Sequence, residues 1–87
     1  MKAIMSVIGQ NHPGIVACVS KELAEFNINI VDITKTLMDK YFTMILLVEA
    51  EDMKISEIQK KMTDVGKEQH IEIRIQAAET FDAMHLI

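Results

Sequence analysis

The chain has 87 residues, of which 49% are hydrophobic and 25% are charged. This length predicts one domain around a single hydrophobic core. Nucleic acid is bound by clusters of basic residues, so the formal net charge of −4 argues against a nucleic-acid-binding protein. The longest strongly apolar run, residues 43–50, is too short to span a bilayer. Cys18 has no second cysteine to pair with, and the first apolar run meets polar residues too early for a signal peptide, so we expect a cytoplasmic protein without membrane association.

The first half of the chain predicts a strand, a helix and a second strand. Residues 2–9 form a short, mostly apolar run that is typical of a strand. Between Ile15 and Phe26, apolar residues recur at spacings of three and four, which predicts an amphipathic helix. Asn27 follows directly and tolerates the left-handed conformation that ends many helices. Residues 28–39 are rich in β-branched side chains and predict the second strand.

The second half predicts a hairpin, a second helix and a last strand. A tight reversal at residues 39–40 leads into a third strand over residues 41–50. Asp52 is predicted to cap the second helix, and Gly66 is predicted to end it in a left-handed conformation. Residues 70–78 alternate between isoleucine and polar side chains, which predicts a half-buried strand.

The order strand, helix, strand, strand, helix, strand predicts an α+β, ferredoxin-like βαββαβ fold. Right-handed crossovers would place both helices on one face of a four-stranded antiparallel sheet. We expect this domain to occupy residues 1–78. Residues 79–87 are expected to form a short C-terminal extension with one helical turn.

Apolar side chains lie on both faces of the predicted sheet. In the third strand, Phe42 and Met44 alternate with Ile45 and Leu47. Only one face can be covered by the two helices, and each large aliphatic side chain left uncovered forgoes roughly 1.5–3 kcal/mol of burial. Monomers seldom expose such a patch. The pattern therefore predicts a homo-oligomer, most simply a dimer, that uses the open face, a sheet edge, or both.

The turn between the first strand and the first helix is the main candidate site. Pro13 suits a first helical position, and either Asn11 or His12 is able to cap the helix. Gly14 removes a side chain from the first turn, where the amides of residues 14–16 form an anion-binding helix start. Glycine there favours close approach by a ligand or by neighbouring backbone. The residues themselves leave two alternatives open: a working ligand site and plain helix initiation.

Other polar residues give weaker indications of a ligand or metal site. Asn29 lies in an apolar run and is expected to hydrogen-bond either a ligand held at the turn or the adjacent loop. His12, His70 and His85 lack a paired ligand spacing, so neither a metal site nor a cofactor is predicted. Cys18, within the helix, is interpreted as a small core hydrophobe.

Taken together, the turn "NHPGIVA", the stretch "FNINIVDI" and the βαββαβ order resemble the ACT domain. The chain is most similar to small stand-alone ACT proteins of uncharacterised function, and also to the ACT modules of the glycine-cleavage repressor. The resemblance implies a module that binds small ligands, often amino acids, and regulates metabolic enzymes or transcription. It places ligand contacts at residues 11–15 (Asn11, His12, Pro13, Gly14 and Ile15) and at Asn29. The family usually has an aspartate where this chain has Asn11.

These observations support a regulatory, non-enzymatic module that senses an amino acid or related metabolite and acts through a homo-oligomer or a partner. A ligand-free assembly protein that uses the open sheet is the alternative. A small hydrolase is a weaker candidate, because an acylphosphatase-like loop needs an arginine and the only arginine, Arg74, lies in the last strand. No catalytic residue is therefore predicted.

Overall fold

The computed structural model describes residues 1–79. The elements are β1 (Lys2–Gln10), α1 (Ile15–Glu25), β2 (Asn29–Met38), β3 (Tyr41–Glu49), α2 (Ile55–Gln69) and β4 (Ile71–Ala77). The strands form one antiparallel sheet in the order β2-β3-β1-β4. The predicted ferredoxin-like architecture is confirmed. The extension predicted for residues 79–87 lies outside the described residues from position 80 onward.

Both helices cover the same face of the sheet, as the sequence predicts. Alternate residues of β1, β3 and β4 are buried in one cluster with the apolar stripes of α1 and α2. The strands contribute Ala3, Met5, Val7, Phe42, Met44, Leu46, Val48, Ile71, Ile73 and Ile75, and the helices contribute Ile15, Val19, Leu23, Ile58, Met62 and Val65. The opposite side, which we call the outer face, includes the partly or fully exposed Ile8, Ile45 and Tyr41.

The end of α1 follows the predicted left-handed stop. Asn27 has φ 58°, and its amide donates to the Ala24 carbonyl at 3.0 Å. The Ile28 amide donates to the Leu23 carbonyl at 2.9 Å, and both of these side chains are buried. This pair of bonds and the apolar contact that accompanies it are the Schellman arrangement. It turns the chain sharply from α1 into β2.

Both predicted ends of α2 are wrong. Asp52 does not cap the helix, since the N-cap residue is Lys54 and no side chain of the described residues bonds the first turn. Gly66 does not end the helix either, because α2 continues to Gln69 and His70 takes the left-handed conformation at φ 59°. Gly66 is buried, and a Cβ atom there would lie 2.5 Å from the Ile71 carbonyl oxygen. Glycine at this position therefore lets the helix lie against the start of β4.

The hairpin between β2 and β3 reverses at Asp39, which has φ 56°. β2 is an edge strand with an irregularity between Ile30 and Asp32, where one extra residue enters the ladder. Each of its residues is exposed or partly exposed, and the large apolar ones include Ile33 and Leu37. Unlike the predicted ends of α2, the predicted bounds of all four strands agree with the observed ones to within one residue.

Candidate functional site

The turn segment, residues 11–14, joins β1 to α1, and none of its side chains caps the helix. The N-cap residue is Gly14, and no side chain within residues 1–79 bonds the amides of the first turn. The prediction that Asn11 or His12 caps α1 is therefore wrong. Pro13 precedes the N-cap residue, so it does not occupy the predicted first helical position. The amides of residues 15–17 have no acceptor within the helix and find none elsewhere in residues 1–79.

Gly14 is required by its backbone conformation. Its φ of 90° lies in a region that side-chain-bearing residues rarely adopt. Apart from Gly14 itself and its two chain neighbours, no atom of residues 1–79 lies within 4 Å of the position where a Cβ would stand. Neighbouring backbone is therefore not the reason for this glycine, and the space above it is open.

His12 contacts the opposite helix. Its Nε2 donates to the carbonyl oxygen of Gln69 at 2.7 Å, and its Nδ1 lies 3.1 Å from the Pro13 carbonyl oxygen. Gln69 is the last residue of α2, where carbonyl groups lack intrahelical partners and carry the negative end of the helix dipole. The His12 side chain thus caps the C-terminus of α2 and holds the turn segment against it.

Asn11 has a free side chain beside a fixed backbone. Its amide donates to the Lys40 carbonyl at 2.9 Å, which ties the turn segment to the β2–β3 hairpin. The exposed side-chain amide makes no hydrogen bond with residues 1–79. It is therefore available to a ligand.

A hollow of about 440 Å³, which we call the turn concavity, lies in front of the first turn of α1. It is lined by residues 11–17 together with Lys35 of β2 and Phe42 of β3. The Lys35 ammonium lies 5.6 Å from the centroid of the Phe42 ring. No acidic residue lies in the first turn of α1. The ammonium and the positive end of the helix dipole together favour an anionic group.

Lys35 and Phe42 were not predicted as site residues. Lys35 alternates with Ile33 and Leu37 on the helix side of β2 and pairs with Met44 in register. A cation on an otherwise apolar face was the available signal in the sequence. The sequence does not reveal that this face of β2 stays uncovered beside the start of α1.

The structure does not bring Asn29 to the turn concavity within one chain. Asn29 begins β2 and pairs with Glu49, whereas the turn segment lies at the Tyr41 end of β3. Tyr41 and Glu49 are eight positions apart, which corresponds to roughly 26 Å of strand. Asn29 is exposed, so the predicted need for burial partners does not arise. It borders a separate shallow hollow with Asn27 and residues 49–51.

Residues 1–79 contain neither a metal-binding cluster nor a membrane-spanning helix. No group of three or more histidine, cysteine, aspartate or glutamate side chains is placed to hold a metal ion in that part of the chain. None of the helices there combines the length and the apolar character that crossing a membrane requires.

The comparisons with known proteins agree on one family. Residues 2–76 match the ACT domain family model. A UPF0237 protein of Corynebacterium efficiens is 51% identical over 87 residues, covering 98% of each chain. Among solved structures, an ACT domain protein from Streptococcus pneumoniae has a TM-score of 0.86 at 38% identity and covers 98% of each chain. A putative glycine cleavage system transcriptional repressor has a TM-score of 0.77 at 19% identity, covering 86% of this chain and 44% of that one, so it shows the fold alone.

Proposed function

The chain belongs to the ACT-domain family, and from that premise we propose that it senses an amino acid or a related small carboxylate at the turn concavity. ACT domains are small-ligand-binding regulatory modules. The observation that carries the proposal is the uncapped start of α1, which opens into a hollow of about 440 Å³ beside Lys35. The proposed ligand contacts are Asn11, His12, Pro13, Gly14 and Ile15, together with Asn29 of a second copy of the chain.

The two ends of the proposed ligand meet different chemistry. A carboxylate accepts hydrogen bonds from the amides of residues 15–17 and faces the Lys35 ammonium. The amine end meets the neutral side chain of Asn11, which contributes about 0.5–1.5 kcal/mol per hydrogen bond, against about 1.5–3 kcal/mol for a charged partner. We therefore expect the carboxylate to contribute more to binding than the amine.

Calorimetric titration with a panel of amino acids and small carboxylates tests the proposal. We expect binding by the wild type and about tenfold weaker binding by Lys35→Ala, the equivalent of one charge-assisted hydrogen bond. Lys40→Ala is the matched control, because the exposed Lys40 lies over Tyr41 and does not line the hollow. No heat with any compound, measured on correctly folded protein, would contradict the proposal.

A second copy of the chain is the proposed partner, paired through β2. This edge strand exposes Ile33 and Leu37 and carries one acid, Asp32, and one base, Lys35, so no net charge opposes self-pairing. In an antiparallel pair about a two-fold axis, the start of one β2 lies beside the end of the other. Asn29 of one copy then approaches the end of the sheet that carries the other copy's turn segment.

Sedimentation equilibrium of two charge-introducing variants tests where the copies meet. Leu37→Asp on the β2 edge is expected to give monomers, whereas Ile45→Asp on the outer face of β3 is expected to keep the dimer. Leu37 is 55% exposed and Ile45 is 43% exposed, so the two changes are comparable in solvent access. The reverse outcome would place the interface on the outer face.

The alternative function is a ligand-free assembly protein, which the exposed apolar residues of β2 also favour. A dimer that binds no compound of the panel, and whose association Lys35→Ala leaves unchanged, would support that alternative.

We also propose that the protein is not an enzyme and that it acts in the cytoplasm. Arg74, the residue a phosphate-binding hydrolase would need at the turn, is exposed in β4 and bonds Glu72 at 2.8 Å. Absence of turnover with acyl phosphates and esters is the expected result. Turnover that His12→Ala abolishes would overturn this part of the proposal.

A further inference from the structure

The two edges of the sheet differ in whether their hydrogen-bonding groups are occupied. β4 forms one edge, and the side chain of Gln59 from α2 reaches over it. The Gln59 Nε2 donates to the Ile73 carbonyl at 2.8 Å, and the Ile75 amide donates to the Gln59 Oε1 at 2.8 Å. The amide group thus bonds the carbonyl of one residue and the N–H two positions later, as a residue of an added parallel strand would.

Local contacts hold Gln59 in this position. The Thr63 hydroxyl donates to the Gln59 backbone carbonyl at 2.8 Å, and the Gln59 Nε2 also lies 3.1 Å from the Thr63 Oγ1. About one turn after Thr63, the missing side chain of Gly66 allows α2 to approach the Ile71 backbone. The cover over β4 is therefore built into the helix and its contact with the strand.

β2, the other edge, has no comparable cover among residues 1–79. Near its irregularity, the Asp32 carboxylate accepts a bond from the Ile33 amide at 2.8 Å, and that site is exposed. From Thr34 to Met38, no side chain from another element of the described chain bonds the strand. Unpaired edge groups of this kind are templates for the addition of a further strand.

We infer that Gln59 closes the β4 edge to strand addition and so directs association of this chain to β2 alone. A sheet with one free edge forms a closed pair, whereas a sheet with two free edges can grow without end. The closure of β4 stands on the Gln59 contacts alone. The limit to a pair rests on the proposed pairing through β2.

Gln59→Ala tests the closure in two measurements. We expect hydrogen exchange of the Ile75 amide, followed by NMR, to accelerate by about two- to twelvefold, because one hydrogen bond is lost. We also expect light scattering to show species larger than those of the wild type, increasing with protein concentration. Gln76→Ala is the control, since Gln76 lies on the same strand but pairs across to Ile4 on the outer face.

Gln59→Lys separates closure of the edge from a loss of stability. Lysine keeps a donor for the Ile73 carbonyl and adds a charge, which disfavours strand addition. We expect this variant to keep the assembly state of the wild type. The closure would be overturned if Gln59→Ala left the exchange of the Ile75 amide unchanged or left the assembly state unchanged. It would also be overturned if Gln59→Lys formed species as large as those of Gln59→Ala. A wild-type monomer would refute pairing through β2 and leave the Ile75 result to decide the closure.

Discussion

The two junctions between helix and strand use glycine for opposite reasons. At the first junction, where β1 meets α1, Gly14 has φ 90°, and its Cβ position has no atom of the described residues within 4 Å beyond the glycine and its chain neighbours. At the second, where α2 meets β4, Gly66 is buried and its Cβ position lies 2.5 Å from the Ile71 carbonyl oxygen. The first glycine provides a conformation and leaves space open, while the second provides space that the chain itself fills. Only the first junction is therefore available to a ligand.

Substitution at Gly66 is expected to have the largest effect. In Gly66→Ala the added methyl group meets backbone atoms of Ile71, and overpacking costs up to about 3 kcal/mol. The gain of about 1 kcal/mol in helix propensity offsets part of this cost. We expect a net loss of about 2 kcal/mol in the free energy of unfolding, measured with urea. A stability equal to or above that of the wild type would show that the two elements separate at no cost.

Substitution at Gly14 is expected to cost less and to respond to a different residue. Gly14→Ala should lose about 1 kcal/mol, because alanine is strained in a left-handed conformation although its methyl group meets open space. Gly14→Asn should lose less, since asparagine tolerates positive φ and is a favourable N-cap residue. If urea unfolding gives the two variants equal stability, the assignment of Gly14 to a conformational role is wrong.

Loss of the hydrogen bond between His12 and Gln69, which joins the two junctions, is expected to have a smaller effect. His12→Ala removes the donor to the Gln69 carbonyl, and we expect a loss of about 0.5–1.5 kcal/mol. In a domain of this size each kcal/mol corresponds to about 4–8 °C in Tm. Asn11→Ala is the matched control, because its side chain bonds nothing in residues 1–79 and its Tm should stay close to that of the wild type. Equal Tm values for both variants would remove the proposed capping role of His12.

The sequence predicted the features that depend on local order. Alternation in β3 placed Phe42 and Ile45 on opposite faces, of which the structure buries the first and exposes the second. The conformation of Asn27 followed from its place after a periodic segment. The features it missed depend on contacts between distant segments. Gly66 matched a helix stop locally, but the approach of β4 determined its role.

The candidate site was predicted only in part, because some of its contacts also join segments that are distant in sequence. The turn segment was identified because proline and glycine before a periodic segment mark a helix start. His12 was expected to cap the helix that follows it, yet its partner, Gln69, is 57 positions away. Lys35 reaches the site only because β2 lies at the sheet edge beside the start of α1. Neither contact leaves a signature in local spacing.

Placing an acid at position 11 is expected to affect ligand binding. Asn11→Asp places a carboxylate beside the turn concavity, where it can pair with a ligand amine. We expect calorimetry to give amino acids up to about tenfold tighter binding. Small carboxylates without an amine should bind no more tightly than before. Equal gains for both classes of compound would show that the amine does not meet Asn11.

We propose that the open start of α1 receives the carboxylate of a ligand. The most direct measurement follows the amide resonances of Ile15, Val16 and Ala17 while amino acids and small carboxylates are titrated into ¹⁵N-labelled protein. We expect saturable shifts of these amides, reduced in Lys35→Ala and retained in Lys40→Ala. Saturable shifts confined to β4, or no shifts in a folded protein with any compound, would contradict it.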